Sequence, residues 1–441
     1  MSNVELGLLS FPVMLVLIFL RVPIGLAMLI VGVVGNYLIT KSWNPTLAMF
    51  KSLPHSTFAS YSLSIIPLFL LMGQFAGLGG LSASLFRAAS AWLGHRRGGI
   101  AMAAVGACAG FGAICGSSLA TAATMAQVAL PELRKHGYSG ALATGTLAAG
   151  GTLGILIPPS VTLVIYAILT EQNIAKLFIA AFIPGILAAI GYITVIAIVA
   201  RLRPQDAGEP YPRMPYLQRF RVMLDTWPVL LVFFLVVGGI YLGWFTPTEA
   251  AAIGAVGTGL IAFINGGLRG KGFIEAILQT ASATAMIFLI VLGAAALNNF
   301  LALSQLPQVA SAFVSEQGFN PWIVLALILC LYLILGCFMD SLSMILLTVP
   351  VVYPIVTALD FGLPPEEFGL WFGILILIVV EVGLITPPVG MNLFVINTMS
   401  RGTSLGETYR GVLPFVISDV VRTALLTVFP ILTLFLVRIL Y

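Results

Sequence analysis

The chain has 441 residues, of which 60% are hydrophobic and only 8% are charged, with a net charge of +4 and a mean hydropathy of +1.09. About a quarter of the residues in a soluble globular protein are charged, so this composition excludes the water-soluble classes. A bilayer core about 30 Å thick is crossed by a helix of roughly 20 apolar residues. We therefore predict an all-α polytopic membrane protein, since apolar runs such as 177–200 lack the alternation of a β-barrel.

Polar breaks divide the chain into apolar stretches that we interpret as helical segments. The first stretch has neither a basic start nor a small-residue cleavage pattern, so we expect a retained helix and no signal peptide. In chain order the stretches cover residues 4–20, 24–40, 57–86, 98–131, 140–170, 177–200, 227–246, 250–268, 273–304, 320–358, 368–400 and 411–437.

Two stretches are too long for one crossing and too short for two. Residues 98–131 contain no Asp, Glu, Lys or Arg and have Gly116-Ser117-Ser118 near their centre. Basic residues flank this stretch on both sides, which predicts a re-entrant hairpin that opens to the cytoplasm. Residues 320–358 have a polar centre at Asp340-Ser341 and acidic flanks, which predicts a second hairpin that opens outside.

With both hairpins counted as non-crossing, the topology has ten crossings and both termini outside. An Arg-rich connection, 201–226, separates a first half, 1–200, from a second half, 227–441. Each half has five crossings and one hairpin, so the two halves insert with opposite orientation. The connection is either an amphipathic segment at the cytoplasmic headgroups or an ordinary loop.

Matching motifs in the two halves indicate an internal repeat. Gly154 and the Pro158-Pro159 pair match Gly383 and Pro387-Pro388 at an offset of 229, and upstream residues match at an offset of 224. Inverted repeats with broken helices are typical of secondary transporters. Proline removes a backbone donor, so we expect the helices in 140–170 and 368–400 to break at these pairs. The alternative is a proline kink with packing significance only.

The predicted hairpin tips and helix breaks offer free carbonyls, hydroxyls and half-helix N-termini, which suit a small cation and an anionic substrate. The candidate sodium ligands are Gly112, Ser117, Thr121, Gly150, Gly154, Gly336, Asp340, Ser341, Gly383 and Thr386. The candidate substrate contacts are Ser118, Pro158, Pro159, Ser160, Thr386, Pro388 and Asn392.

Charged residues within the apolar stretches indicate functional or structural roles, because an acid at the bilayer centre costs several kcal/mol. We expect Asp340 to act in ion binding or gating. Glu381 is an ion ligand, a proton acceptor or a structural partner, and we favour the structural role. We interpret Arg422 as a snorkelling or interface residue outside the site.

Enzyme, metal and nucleic-acid functions have little support in the sequence. The four cysteines lie in apolar runs without metal-ligand spacing, and the basic residues form no basic face. His55, His95 and His136 are expected in loops, which leaves an intramembrane enzyme without a histidine partner.

Five motifs resemble those of one family, the large membrane subunit (DctM type) of tripartite ATP-independent periplasmic (TRAP) transporters. They are GAICGSSLAT at 112–121, PELRKHGY at 131–138, GGTLGILIPP at 150–159, GCFMD at 336–340 and EVGLITPPVG at 381–390.

The resemblance implies sodium-driven uptake of an organic acid across a bacterial inner membrane, with sodium as coupling ion and no other cofactor. It implies two protein partners, a soluble periplasmic substrate-binding protein and a separate small four-helix membrane subunit, as well as contact with lipid. It further implies an elevator mechanism, in which the hairpins and broken helices move against a scaffold. The alternative within transport is a self-sufficient ion-coupled carrier that needs no binding protein.

Overall fold

The computed structural model describes residues 1–400 and 402–441, and helices dominate this part of the chain. In the first half they are α1 (Asn3–Phe19), α2 (Ile24–Thr40), α3 (Trp43–Phe58), α4 (Ile65–Leu78), α5 (Leu81–Leu93), α6 (Gly99–Cys115), α7 (Ser118–Lys135), α8 (Gly140–Leu156), α9 (Val161–Leu169) and α10 (Ile174–Leu202). After the connection they are α11 (Tyr216–Leu224), α12 (Trp227–Phe233), α13 (Gly239–Tyr241), α14 (Pro247–Ile264), α15 (Lys271–Ser304), α16 (Leu306–Glu316), α17 (Pro321–Gly336), α18 (Ser341–Thr357), α19 (Pro365–Leu384), α20 (Met391–Met399), α21 (Leu405–Val428) and α22 (Ile431–Leu440). Short 3₁₀ turns occur at Tyr61–Ser64 and Pro204–Asp206, and a π-helical segment, Phe234–Gly238, joins α12 to α13.

Side-chain caps explain where several of the central helices begin. The Ser117 hydroxyl accepts a hydrogen bond from the Ala120 amide at the start of α7, and Ser139 and Ser160 cap α8 and α9 in the same way. In the second half the Asp340 carboxylate caps α18. Such caps satisfy amides that have no partner inside the helix, so they fix the chain breaks at these positions.

Six of the described helices are long and apolar enough to cross a membrane, and the number rises to eight if each of two bent pairs counts as one span. One bent pair is α8 and α9, which meet at 46° across the first double proline. The other, at 53°, joins α11 to the Trp227–Tyr241 segment. Several shorter apolar helices accompany them, including α6 of the first expected hairpin and both arms, α17 and α18, of the second. The count of ten crossings stays a prediction.

Helix packing separates two sets of elements. The expected hairpins and broken helices contact each other extensively, with α8 against α6, α7 and α21, and with α17 against α19. Elsewhere α2 runs along α15, and α4 runs along α14. The core of the first set is α19, in which nearly every residue from Phe368 to Leu384 is buried. This helix therefore lies inside the protein rather than against lipid.

Three sequence expectations about individual segments are corrected by the structure. The apolar stretch 57–86 is not one helix, because α4 ends at Leu78 and α5 begins at Leu81. Two helices, α3 and α16, occupy segments that we had interpreted as polar breaks. Their mixed composition resembles that of a loop, whereas one apolar face is enough for a helix that packs on its neighbours. His55 accordingly lies in α3 and not in a loop.

Candidate functional site

In the first half, α6 and α7 form a hairpin whose tip meets the break between α8 and α9. The crossing of α6 with α8 is a glycine contact, because a Cβ added at Gly112 would lie 2.5 Å from the Cα of Gly154. At the tip, Gly116 adopts φ +65°, and a Cβ there would lie 3.1 Å from the Pro159 carbonyl oxygen. Only glycine fits these two positions without displacement of backbone. The tip and the break are thus in direct contact.

The second half repeats this arrangement with α17, α18 and α19. A Cβ added at Gly383 would lie 2.6 Å from the Cα of Gly336, so the two helices cross at a glycine pair again. Beyond the tip, the Gly390 amide donates to the Cys337 carbonyl at 3.3 Å. The peptide bonds Pro158-Pro159 and Pro387-Pro388 are both cis. Each half therefore holds a hairpin tip against a double-proline break.

Thr121 is a buried polar residue at the contact between the first hairpin and α8. Its side chain is fully buried in α7, and its hydroxyl makes no hydrogen bond to nitrogen or oxygen within the described residues, although it faces the Cys115 thiol, which is a weak partner. It lies beside Gly154, where an added Cβ would clash with the Thr121 hydroxyl and approach the Ser117 carbonyl oxygen to 2.6 Å. Two oxygens therefore converge on the bare backbone of Gly154.

The corresponding oxygens of the second half already have partners. One Asp340 carboxylate oxygen accepts from the Ser343 amide at 3.1 Å, and the other accepts from the Ser343 hydroxyl. The Thr386 hydroxyl donates to the Val382 carbonyl at 2.6 Å. Lone pairs remain on these oxygens, but each of them already has a hydrogen-bond partner, unlike the Thr121 hydroxyl.

Glu381 joins the two halves of the site. Its carboxylate is buried in α19 and accepts a hydrogen bond from the Ser341 hydroxyl at 2.6 Å. The Ser118 hydroxyl, from the tip of the other hairpin, faces the same carboxylate. Its second oxygen, Oε2, has no hydrogen-bond partner in the described part of the chain. The sequence suggested a structural role for Glu381 but could not show that serines of both hairpin tips would meet there.

The candidate substrate contacts lie around the two breaks. Ser160 is fully buried and caps α9 through the Leu163 amide. Asn392 is also fully buried, and its amide reaches the Ala148 carbonyl of the first half at 3.5 Å while its Oδ1 stays without a partner among the described residues. Pro388 is exposed, and its carbonyl accepts from the Tyr409 hydroxyl.

One expected ligand, Gly150, does not lie at the tip. A Cβ at this position would meet the Cys108 thiol of α6 at 2.8 Å, one helical turn away from Gly154. The helix continues unbroken to Leu156, so Gly150 serves the close packing of α8 on α6. The expectation that Gly150 is a sodium ligand stays a prediction, and the structure places this residue one turn before the tip contact at Gly154.

The comparison with known families is consistent with this geometry. A family model described as "Tripartite ATP-independent periplasmic transporter, DctM component" matches residues 11–432. The chain belongs to this family. The resemblance found in the motifs is thereby confirmed.

Individual DctM relatives are similar over most of their length. The chain is 39% identical over 375 residues to a C4-dicarboxylate TRAP transporter large permease protein of Pseudomonas aeruginosa, covering 85% of this chain and 86% of the relative. It is 31% identical to a sialic acid TRAP transporter large permease protein of Vibrio cholerae, over 95% of this chain and 96% of the relative. These relatives are permease components and not enzymes.

A solved structure shares the fold at low sequence identity. The YdaH transporter of Alcanivorax borkumensis superposes with a TM-score of 0.65 over 87% of this chain and 88% of that chain, at 16% identity. At this identity the likeness concerns the fold alone.

The DctM chain also contains a buried charge network that the sequence interpretation missed. Arg422 does not snorkel, because only 6% of its side chain is exposed and its Nη2 lies 3.0 Å from Asp419 Oδ1. The other Asp419 oxygen accepts from the Tyr192 hydroxyl at 2.8 Å, which in turn contacts the Thr152 hydroxyl at 2.9 Å. Asp419 and Arg422 are three residues apart in α21 and so share a helix face. The three-residue spacing of Asp419 and Arg422 was the sequence signal for this ion pair.

Proposed function

We propose that this DctM protein is the large permease of a sodium-driven TRAP transporter that takes up an organic carboxylate by an elevator mechanism. In this proposal a periplasmic binding protein delivers the substrate, and a small four-helix subunit lies beside the permease in a bacterial inner membrane. Family membership supports the permease role, and the buried oxygens at the tips and breaks support the coupling ion.

The observation that carries sodium coupling is the unpartnered hydroxyl of Thr121. Burying a hydroxyl without a hydrogen bond costs about 1–3 kcal/mol, and the Ser117 carbonyl oxygen lies at the same glycine. The Ser117 carbonyl already accepts from the Thr121 amide at 3.0 Å and keeps a second lone pair. A small cation coordinated by oxygen would satisfy the hydroxyl and use that lone pair, as unwound backbone does in other secondary transporters. Gly112, Gly154 and Ser117 would complete this first ion site, and Gly336, Asp340, Ser341, Gly383 and Thr386 would form the second.

The packing supports a moving unit made of both hairpins and both broken helices. In each half the short helix after the break packs on the hairpin of the other half, α9 on α18 and α20 on α7. This exchange links the four elements into one body. The other body, with α2, α4, α14 and α15, would serve as the scaffold.

An anionic substrate suits the starts of α9 and α20, where helix amides carry partial positive charge. Ser160 caps the start of α9, and Gly390 caps the start of α20, in which Asn392 is the second residue. The relatives are described as transporters of C4-dicarboxylates or sialic acid, which are carboxylic acids. We infer that a carboxylate group binds between these two helix starts, with Ser118, Pro158, Pro159, Thr386 and Pro388 nearby.

The proposal is tested by uptake into proteoliposomes that hold this chain and its small subunit. An inward sodium gradient is applied with succinate or sialic acid outside, with and without the cognate binding protein. We expect uptake that requires both sodium and the binding protein. Uptake that ignores the binding protein would favour the self-sufficient carrier, and uptake that ignores sodium would contradict the coupling ion.

A further inference from the structure

A cavity of about 490 Å³ lies where α5, the end of α7 and the connection between the two halves come together. Its wall includes Arg87 and Ser90 of α5, Glu132 of α7, and Tyr211 of the connection. The remaining lining is apolar and consists of Ala83, Phe86, Ala91, Val128, Pro212, Met214 and Val222. The volume falls within the range of small-molecule sites, and the lining combines a cationic end with an apolar wall.

Two donor groups of this cavity, on Ser90 and Arg87, have few partners within the protein. Ser90 is 8% exposed, and its buried hydroxyl has no hydrogen-bond partner in the residues that the structure describes. The Arg87 guanidinium reaches only the Ser84 hydroxyl, at 3.4 Å, and forms no ion pair within the same residues. A phosphate group would supply acceptor oxygens to the Ser90 hydroxyl and to the Arg87 guanidinium.

The surroundings of the cavity are electropositive. Arg219 is buried beside it in α11, stacked over Trp92 and Tyr216, and its Nη2 has no hydrogen-bond partner in the described ranges. Burial lowers the pKa of His95, and the charges of Arg219, Arg213 and Arg96 lower it further. The single acid, Glu132, is already engaged by the Tyr211 hydroxyl at 2.8 Å and lies 3.9 Å from the Lys135 ammonium.

The helix beside the cavity has the form of a membrane-surface helix. On α11 the side chains of Leu217, Phe220 and Leu224 are exposed, and the helix is bent by 53° from the apolar segment that follows it. Exposed apolar residues next to arginines are typical of helices that lie in the headgroup region. The cavity thus lies beside a helix suited to the headgroup region of a membrane.

We propose that this cavity binds the headgroup of an anionic phospholipid, with the phosphate at Arg87 and Ser90 and the start of the acyl chains along Phe86 and Val222. Basic pockets between helices at a membrane surface bind such headgroups. The bound lipid would join α5, the first hairpin and the connection between the halves. This site is separate from the ion and substrate sites, so it does not depend on the proposed function.

The test uses the full chain in a neutral detergent and measures bound lipid by native mass spectrometry. Phosphatidylglycerol is compared with phosphatidylcholine for the wild type, for Arg87→Gln and for the control Arg97→Gln. Arg97 is an exposed arginine near the same face that does not line the cavity. We expect the wild type to prefer phosphatidylglycerol, Arg87→Gln to weaken its binding about fivefold, and Arg97→Gln to leave it unchanged.

Equal binding of the two lipids, or equal effects of the two substitutions, would overturn the proposal. A second measurement needs only the wild type, in case Arg87→Gln does not fold. Phosphatidylglycerol should raise the unfolding temperature more than phosphatidylcholine or glycerol phosphate does. A rise produced equally by glycerol phosphate would assign the cavity to a soluble phosphate and refute the lipid.

Discussion

Replacing Thr121 with valine tests the first ion site, because valine keeps the shape of the side chain and removes only the hydroxyl. In sodium-free buffer the variant should be more stable than the wild type by up to about 1–3 kcal/mol, the cost of a buried hydroxyl without a partner. Sodium at 100 times its dissociation constant should stabilise the wild type by about 2.7 kcal/mol. The variant should gain much less, so its stability advantage over the wild type should shrink or reverse when sodium is added.

Thermal unfolding in sodium and in potassium buffers measures both effects, and Thr146→Val is the matched control. Thr146 is also fully buried in α8, and its hydroxyl also has no partner in the part of the chain that the structure describes, but it lies eight residues before Gly154. We expect Thr146→Val to be more stable than the wild type in sodium-free buffer and to be stabilised by sodium as much as the wild type is. A sodium response of Thr121→Val equal to that of the wild type would refute the first ion site.

Three further predictions concern other parts of the chain. Asp340→Asn keeps a side chain that can cap α18. This variant and Ser117→Ala should each weaken the sodium dependence of uptake. If neither substitution changes the uptake rate as a function of sodium concentration, the two-site proposal is contradicted. Asp419→Asn or Arg422→Met alone should destabilise the protein by about 3–5 kcal/mol in thermal unfolding, because each leaves a buried charge without its partner. The double variant Asp419→Leu with Arg422→Met should recover most of the lost stability. Single variants as stable as the wild type would contradict the buried ion pair. The pKa of His95 lies below its ordinary value of 6.5, so the folded protein loses stability as the pH falls through that value. Arg219→Gln should raise this pKa, as measured in histidine-labelled NMR spectra. An unchanged pKa would show that the Arg219 charge does not act on His95.

The positions of the two helix hairpins could be predicted because composition marks them. A long uncharged run with glycine and serine at its centre is too short for two crossings, and the structure places helix ends at Cys115 and Ser118. The double prolines marked the helix breaks for an equally local reason, since proline cannot continue a helix. Local signals therefore located both tips and both breaks.

Contacts between the halves could not be predicted in the same way. The meeting of Ser118 with Glu381 depends on how two hairpins and a buried helix pack, which no local pattern contains. Arg422 illustrates a second limit, because an arginine in an apolar run suits both a snorkelling and a buried residue, and only its partner Asp419 decides between them. The amphipathic helices α3 and α16 were missed because their polar faces resemble loops.

Binding of radioactive sodium to the purified chain measures the first ion site without the binding protein or the small subunit. We predict saturable binding to the wild type and to Thr146→Val, and a clear loss in Thr121→Val and in Gly154→Ala. In Gly154→Ala the added methyl group would occupy the space beside Thr121 and Ser117. Gly106→Ala serves as the glycine control, because an added Cβ there has its nearest neighbour at 3.9 Å. Equal sodium binding by all of these proteins, or none by the wild type, would contradict the account.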